Sequence, residues 1–529
     1  MHDSKLLKLL ETILTDATTF GLTRRQQQNR LRRFIASPYF VYDKDKNVLP
    51  LFDYLVQYLP KFSHPNLARQ KVAQHLFPER AFDDKVYQDL RRTMADLNYL
   101  LDKYIVSTSI EQDKQESILP LLDFYTRHDV DSQTTHAQLI QMARHANEQN
   151  PQNANFYYNA FKLSSQEGAF MSLQPANEEQ NLPQIQKTTY NLDIFFILSK
   201  LDQYCHYLTF QKIRSVDNSL PIDPNILQFI RESKYMELPI VKIYYNAFML
   251  LYDPNEANYF MELKQLLQKE SHLLDKMDLH NLHTRCENYC TLNILSGNNN
   301  YRRQLFELYQ EQLESGIIYI DGCLDIRKFK NIVTLGVWLR DFDFTATFIE
   351  QNKDRILSQY QQEVYHYCLA YLYFGTQDYD RVNEHLNLAQ QQKRYYNITY
   401  RTDSHKLQIK MYYECDEQNL LNAKLNTFTA FVRNNLGTTG NSQLANQNFV
   451  KIVRKLLNII ELPKLYGTKN TNQQKTEQLI TEIEQLLQHE AYIAERPWIV
   501  DKLNELKHNY PNTNNKVNTK SITKPNLNH

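Results

Sequence analysis

Residues 364–392, VYHYCLAYLYFGTQDYDRVNEHLNLAQQQ, decide how this chain folds. In the first half, Tyr365, Leu369, Leu372 and Tyr373 recur at helical spacing and put one apolar face on a helix. Ala370 stands among them and leaves room for a neighbouring helix. Gly375 stands where that helix should end. Asp378 is placed to accept the first amide hydrogens of a second helix as its N-cap. Tyr379, Val382, Leu386 and Ala389 then share the second helix's buried face. The stretch reads as one antiparallel helix pair.

A helix pair of this size cannot bury its own apolar face, so it should recur along the chain. Gly336, Ala370 and Ser404 are small residues spaced by 34. At the same spacing, Ile332, His366 and Tyr400 precede them by one turn, and Leu339, Tyr373 and Leu407 follow. The second helices agree less well, because Ala389 is matched by Arg355 and Ala423. With Leu369, Ala370, Tyr373, Asp378, Tyr379, Val382 and Ala389, the pair resembles the tetratricopeptide repeat (TPR). It departs from that family at His366, where an aromatic is usual, and in having no closing proline near Arg394.

The fold expected is all-α: a helical N-terminal domain followed by a TPR-like α-solenoid of antiparallel helix pairs. Ten glycines and 17 prolines in 529 residues disfavour a turn-rich β architecture. Residues 1–106 read as the helical N-terminal domain, with turns at Pro38, Pro60, Pro65 and Pro78. The polar stretch 107–117 reads as a linker and 118–326 as an irregular array of helix pairs. Residues 175–183 read as a polar break before a long helix, and Asp321-Gly322 as a turn. The degenerate TPR-like repeats occupy 327–434, C-terminal helices 435–509, and a disordered tail 510–529, which has few large apolar residues. YYNAF occurs at 157–161 and 244–248, through duplication or through convergence on one packing solution.

Beyond the repeats, short stretches resemble a family of uncharacterised helical proteins from Bacteroidota. They are SPYF at 37–40, LFP at 76–78, NYC at 288–290, LFELY at 305–309, FKNIVTLG at 329–336 and YYE at 412–414. That resemblance implies a helical fold and no particular activity.

Lys plus Arg equals Asp plus Glu at 60 each, so no global field steers the chain to nucleic acid or anionic lipid. No run is long and apolar enough to span a bilayer, and residues 1–20 read as an amphipathic helix in place of a signal peptide. Six scattered cysteines form no disulfide framework, and the expected location is the cytoplasm. Phosphate-binding loops, HExxH, nucleophile elbows and kinase signatures are all missing. No cofactor is expected.

His280, His283, Cys286 and Cys290 share one helical stripe, but at 1.5 Å per residue they span roughly 15 Å, so at most two neighbours could share a metal. Arg24, Arg25, Arg30, Arg32 and Arg33 form a basic helix that could meet an anionic partner or lie as a solvated face. In TPR-like solenoids the first helix of each pair lines a groove. The resemblance places Lys330, Val333, Val337, Arg340, Tyr367, Tyr371, Arg401 and His405 there. Two tyrosines between cations suit a peptide with acidic positions, unless a helix from 442–509 fills the groove instead.

The function expected is a non-catalytic protein- or peptide-binding scaffold. The alternatives are a regulatory protein that binds nucleic acid through the 24–33 helix, or an enzyme with an unrecognised helical active site.

Overall fold

The structure is a computed structural model. It describes residues 5–15, 22–40, 46–58, 64–128, 132–172, 178–214, 222–295, 297–391, 397–436, 441–466 and 470–509. The chain is all-α apart from one two-stranded hairpin among the described residues, and it divides into two compact units, Met1–Asp275 and Lys276–His529. The division falls inside the stretch read as the 118–326 array. The expected tail, 510–529, lies outside the described residues.

In the first unit, α1 (Lys5–Thr15), α2 (Arg24–Ile35), α3 (Val48–Val56) and α4 (Arg69–Leu76) all pack on α5 (Asp84–Gln112). Their common core runs from Leu6 to Tyr104. The α5 helix starts because the Asp83 carboxylate accepts from Val86 N at 2.7 Å, and Leu90, Leu97, Leu101 and Tyr104 then keep one face buried. It continues through the stretch read as a linker. Thr108 is buried, with its hydroxyl bonded to Tyr104 O, and Asp113 alone separates α5 from α6 (Lys114–His128).

Next come α7 (Ser132–Glu148), α8 (Ala154–Ser172), α9 (Glu178–Arg214), α10 (Pro224–Glu232), α11 (Pro239–Tyr252) and α12 (Asn258–Lys269). Pro183 does not break the chain; it lies inside the first turns of α9. The two YYNAF segments fall on α8 and α11, and both of those helices pack against α9.

The second unit opens with α13 (Lys276–Leu295) and α14 (Asn300–Ser315). A hairpin, β1 (Tyr319–Ile320) with β2 (Cys323–Leu324), follows; Asp321 and Gly322 both have positive φ, as a tight two-residue hairpin turn requires. Then come α15 (Ile326–Trp338), α16 (Phe342–Asn352), α17 (Gln361–Gly375), α18 (Tyr379–Gln390), α19 (Ile398–Glu414) and α20 (Gln418–Asn435). The chain of helices ends with α21 (Asn441–Tyr466), α22 (Asn470–His489) and α23 (Arg496–Asn509). Each helix from α13 to α21 packs on the next, and α17 also packs on both α15 and α19.

One turn recurs between first and second helices. Arg340, Gln377 and Asp416 all have φ near +60°. The next residue donates its amide hydrogen five residues back: Asp341 N to Gly336 O, Asp378 N to Tyr373 O and Glu417 N to Tyr412 O, each 2.9 Å. This is the Schellman arrangement, which satisfies the last carbonyls of the first helix. Asp341 and Asp378 then N-cap the second helix through their carboxylates.

Counted from these turns, the pairs repeat at 37 (Arg340 to Gln377) and 39 (Gln377 to Asp416), which corrects the period of 34. The first helices lengthen from 13 to 15 to 17 residues, and the additions fall at their N-terminal ends. In the turn register Val333, Ala370 and Ile409 are equivalent and wholly buried, as are Ile349, Leu386 and Leu425 in the second helices. The 34-residue spacing falls short of these steps by three residues and then by five. Three residues is close to one helical turn and stays near the same face, whereas five turns the helix by about 140°.

Gly375 is not the left-handed residue of its turn. A β-carbon there would lie 2.4 Å from Val337 Cγ1 and 3.1 Å from Phe342 Cε1, so it is the point of closest approach to the preceding pair. Gly375→Ala should therefore destabilise the protein by about 1–3 kcal/mol through overpacking. Gln377→Gly, two residues on, should stabilise it by about 0.5–1 kcal/mol by relieving the left-handed conformation. Denaturant unfolding of both variants checks the assignment; a tolerated alanine at 375 would contradict it.

Candidate functional site

The adjoining faces of α15, α17 and α19 carry a chain of charges. Lys330 Nζ donates to Asp403 Oδ2 at 2.6 Å, and Lys406 Nζ lies 2.9 Å from Asp403 Oδ1. Lys406 also reaches Glu495 Oε1 at 3.1 Å, and Lys410 reaches Glu495 Oε2 at 2.7 Å. Below them Tyr367 meets the Tyr400 ring edge to face, and the Tyr400 hydroxyl donates to Ile326 O at 2.6 Å. The face thus ties α19 to α15 across α17.

Glu495 arrives from the turn between α22 and α23, where its own φ is +55°. A non-glycine residue in that region is strained unless its surroundings fix it. Here they do. Ala494 N donates to Ala445 O at 3.0 Å, and Asn448 Nδ2 donates to Tyr492 O at 3.0 Å. Arg496 Nη1 donates to Leu487 O at 2.7 Å, and Trp498 Nε1 to Glu414 Oε1 on α19 at 2.9 Å. Burial opposes the charge of Glu495, but Lys410 and Lys406 outweigh it and hold the carboxyl far below its ordinary range. Asp403 is held down in the same way, against its own burial, by Lys406 and Lys330.

This geometry sorts the residues expected in the groove. Lys330, Tyr367 and Tyr371 come together on the shared face, but Tyr367 is only 4% exposed and belongs to the core. Tyr371 is half-buried, with Lys410 Nζ 5.6 Å from its ring centre. Arg340 is the exposed left-handed residue of the α15–α16 turn. Arg401 is exposed, with its guanidinium 5.5 Å from the Phe431 ring on α20. His405 is buried against Phe428 and Phe431 of α20, and burial pushes its pKa down to about 3.

The 34-residue spacing takes Tyr367 and Tyr371 to Arg401 and His405. The turn register adds 39 and selects Lys406 and Lys410, the residues that do lie on the face. The signal for them was the acidic or capping residue that opens each second helix, Asp341, Asp378 and Glu417.

The remaining candidates resolve differently. Cys286 and Cys290 are fully buried on α13, and burial followed by the Lys328 charge lowers the pKa of His283 to about 4. A nearby ammonium opposes a metal there. Among the described residues no group of three or more His, Cys, Asp or Glu could hold a metal ion. Lys328 itself forms a buried pair with Glu287 at 2.7 Å, and Gln312 bridges both. On α2, Arg32 chelates Asp53 with two bonds of 2.8 Å and Arg30 pairs with Glu111, so two of the five arginines already hold carboxylates. No helix among the described residues is long and apolar enough to cross a membrane.

Comparisons of this chain with protein-family models, curated proteins and solved structures find no match.

The folded-state pKa of Glu495 is depressed, so its contribution to stability is complete above about pH 4.5 and is lost as pH falls below that value. Glu495→Gln should lower stability at pH 7 by roughly 3–5 kcal/mol, since it leaves Lys406 and Lys410 without their carboxylate. The gap between the two proteins should close as the pH is taken toward 3. A gap that stays constant with pH, measured by thermal unfolding, would show that the carboxylate charge does not hold this turn.

Proposed function

We propose that this chain is a non-catalytic, tetratricopeptide-like helical-repeat scaffold that captures a protein or peptide along the face of α15, α17 and α19. One observation carries the reading: α17 packs directly on both α15 and α19, while α16, α18 and α20 make no comparable contact with each other. Packing of that kind favours a concave face on the first helices, as in other helical-repeat binders. That face presents half-buried charges and aromatic rings together, a composition suited to peptide recognition.

The C-terminal segment supports part of the alternative weighed above, since Glu495 occupies the middle of the face. The binding surface in this reading is therefore the end of the face near Trp338 and Tyr371. Six cysteines, none of them in a disulfide, are in keeping with a cytoplasmic location. The pairing of Arg30 and Arg32 leaves nucleic-acid binding through α2 the weaker reading. The similarity to the Bacteroidota helical family belongs to the same proposal and adds no activity to it.

Selection of linear peptides from a displayed library on the immobilised chain tests this reading. Enriched peptides should bind the parent protein and lose most of their affinity on Trp338→Ala. Failure to enrich any sequence, or enriched peptides indifferent to Trp338→Ala, would overturn the proposed surface.

A further inference from the structure

Arg302, at the start of α14, lies against the end of α15. Its guanidinium carbon lies 4.4 Å from the centre of the Trp338 ring, at the end of α15. The residue is half-buried, and its Nε is shut off from solvent without a hydrogen-bond partner. Tyr371 and Asp501 are near enough to favour its charge, but neither forms an ion pair or hydrogen bond with it. Burial works against that charge and lowers its pKa. Trp338 is 46% exposed, large for a residue that already carries a cation on one side.

We propose that Arg302, backed by Trp338 and flanked by Tyr371, is a carboxylate-binding point for an acidic peptide. This inference rests on the scaffold reading above and names the chemistry of its partner.

First, a guanidinium lying on an indole can present its two terminal Nη groups at the ring edge, and those match a planar carboxylate with two parallel bonds, the buried Nε standing apart. Second, the same unit shows a carboxylate seated on cations beside Tyr371: Glu495 sits between Lys406 and Lys410, and Lys410 Nζ lies 5.6 Å from the Tyr371 ring. Arg302 is a further cation near that tyrosine, and the Asp501 carboxylate favours its charge without forming an ion pair with it.

Third, the charge balance limits the partner. Arg302, Lys330, Lys406 and Lys410 face Asp403, Glu495 and Asp501, which leaves a single positive charge for an incoming group. One carboxylate is matched by that charge. A run of phosphates would meet Asp501 and Glu495 with little to offset them. The exposed part of the Trp338 ring suits an apolar side chain next to the acidic residue.

The test uses fluorescence anisotropy at low salt with the full chain. The probes are a short labelled peptide of alternating Glu and Leu with an amidated C-terminus, the same peptide with Gln for Glu, and the Gln peptide with a free C-terminus. The acidic peptide should bind at least about tenfold more tightly than its Gln counterpart, a difference of about 1.4 kcal/mol. Arg302→Gln should abolish the preference, and Arg302→Lys should keep only part of it, since the charge remains without the fork. Recovery of binding by the free C-terminus alone would assign the point to a terminal carboxylate, within the same chemistry.

Equal binding of the Glu and Gln peptides, or an Arg302→Gln protein that binds the acidic peptide unchanged while its melting temperature is normal, overturns the inference. So does a single-stranded oligonucleotide that binds at Arg302 more tightly than the acidic peptide. Library peptides that depend on Trp338 but show no acidic preference would leave the scaffold reading standing and remove this one. No binding by any peptide would remove both.

Discussion

Two carboxylates, Asp403 and Glu495, hold three lysines on the face shared by α15, α17 and α19. Each lysine is at most 18% exposed, so none could be buried here alone. Desolvating a charge costs several kcal/mol unless a partner of good geometry offsets it. The arrangement is therefore all or nothing. With both carboxylates in place it joins α15 to α19 across Tyr367 and seats the turn before α23. With either missing it leaves buried ammonium groups uncompensated.

That dependence explains why the C-terminal helices belong to the repeats. The α23 helix grips the end of α19 through Trp498 and Lys502, both bonded to Glu414, and α21 anchors the backbone just before Glu495. Glu495 holds a left-handed backbone that glycine would adopt more easily, yet glycine could not supply the carboxylate. Position 495 is thus set by its charge and not by its conformational ease.

Much of the fold could be read from the chain. Helical spacing, Asp378 as N-cap and the buried faces at Ala370 and Leu386 all follow from local chemistry and hold in three dimensions. The repeat period did not, because the slip from 34 to 37 is about one helical turn and leaves the same face buried, while α19 is buried on nearly every side, so apolar pattern there cannot tell 34 from 39. The turns could tell them apart. Once the left-handed residue before each second helix is located, Lys406 and Lys410 fall opposite Tyr367 and Tyr371. Glu495 had no such local signal. It lies 85 residues from Lys410, and only the packing of α21 brings it back. Tyr367 shows the converse limit, since spacing put it on the right face without revealing that Tyr400 and the ion chain would cover it.

The proposed partner meets the chain at the start of α14 and the ends of α15 and α17, and not on α16, α18 or α20. Hydrogen exchange of the chain with and without a bound peptide tests this. Added protection should concentrate at the start of α14, around 333–340, and in the C-terminal half of α17, with α16, α18 and α20 unchanged. Protection confined to the second helices, or to the Met1–Asp275 unit, would contradict it.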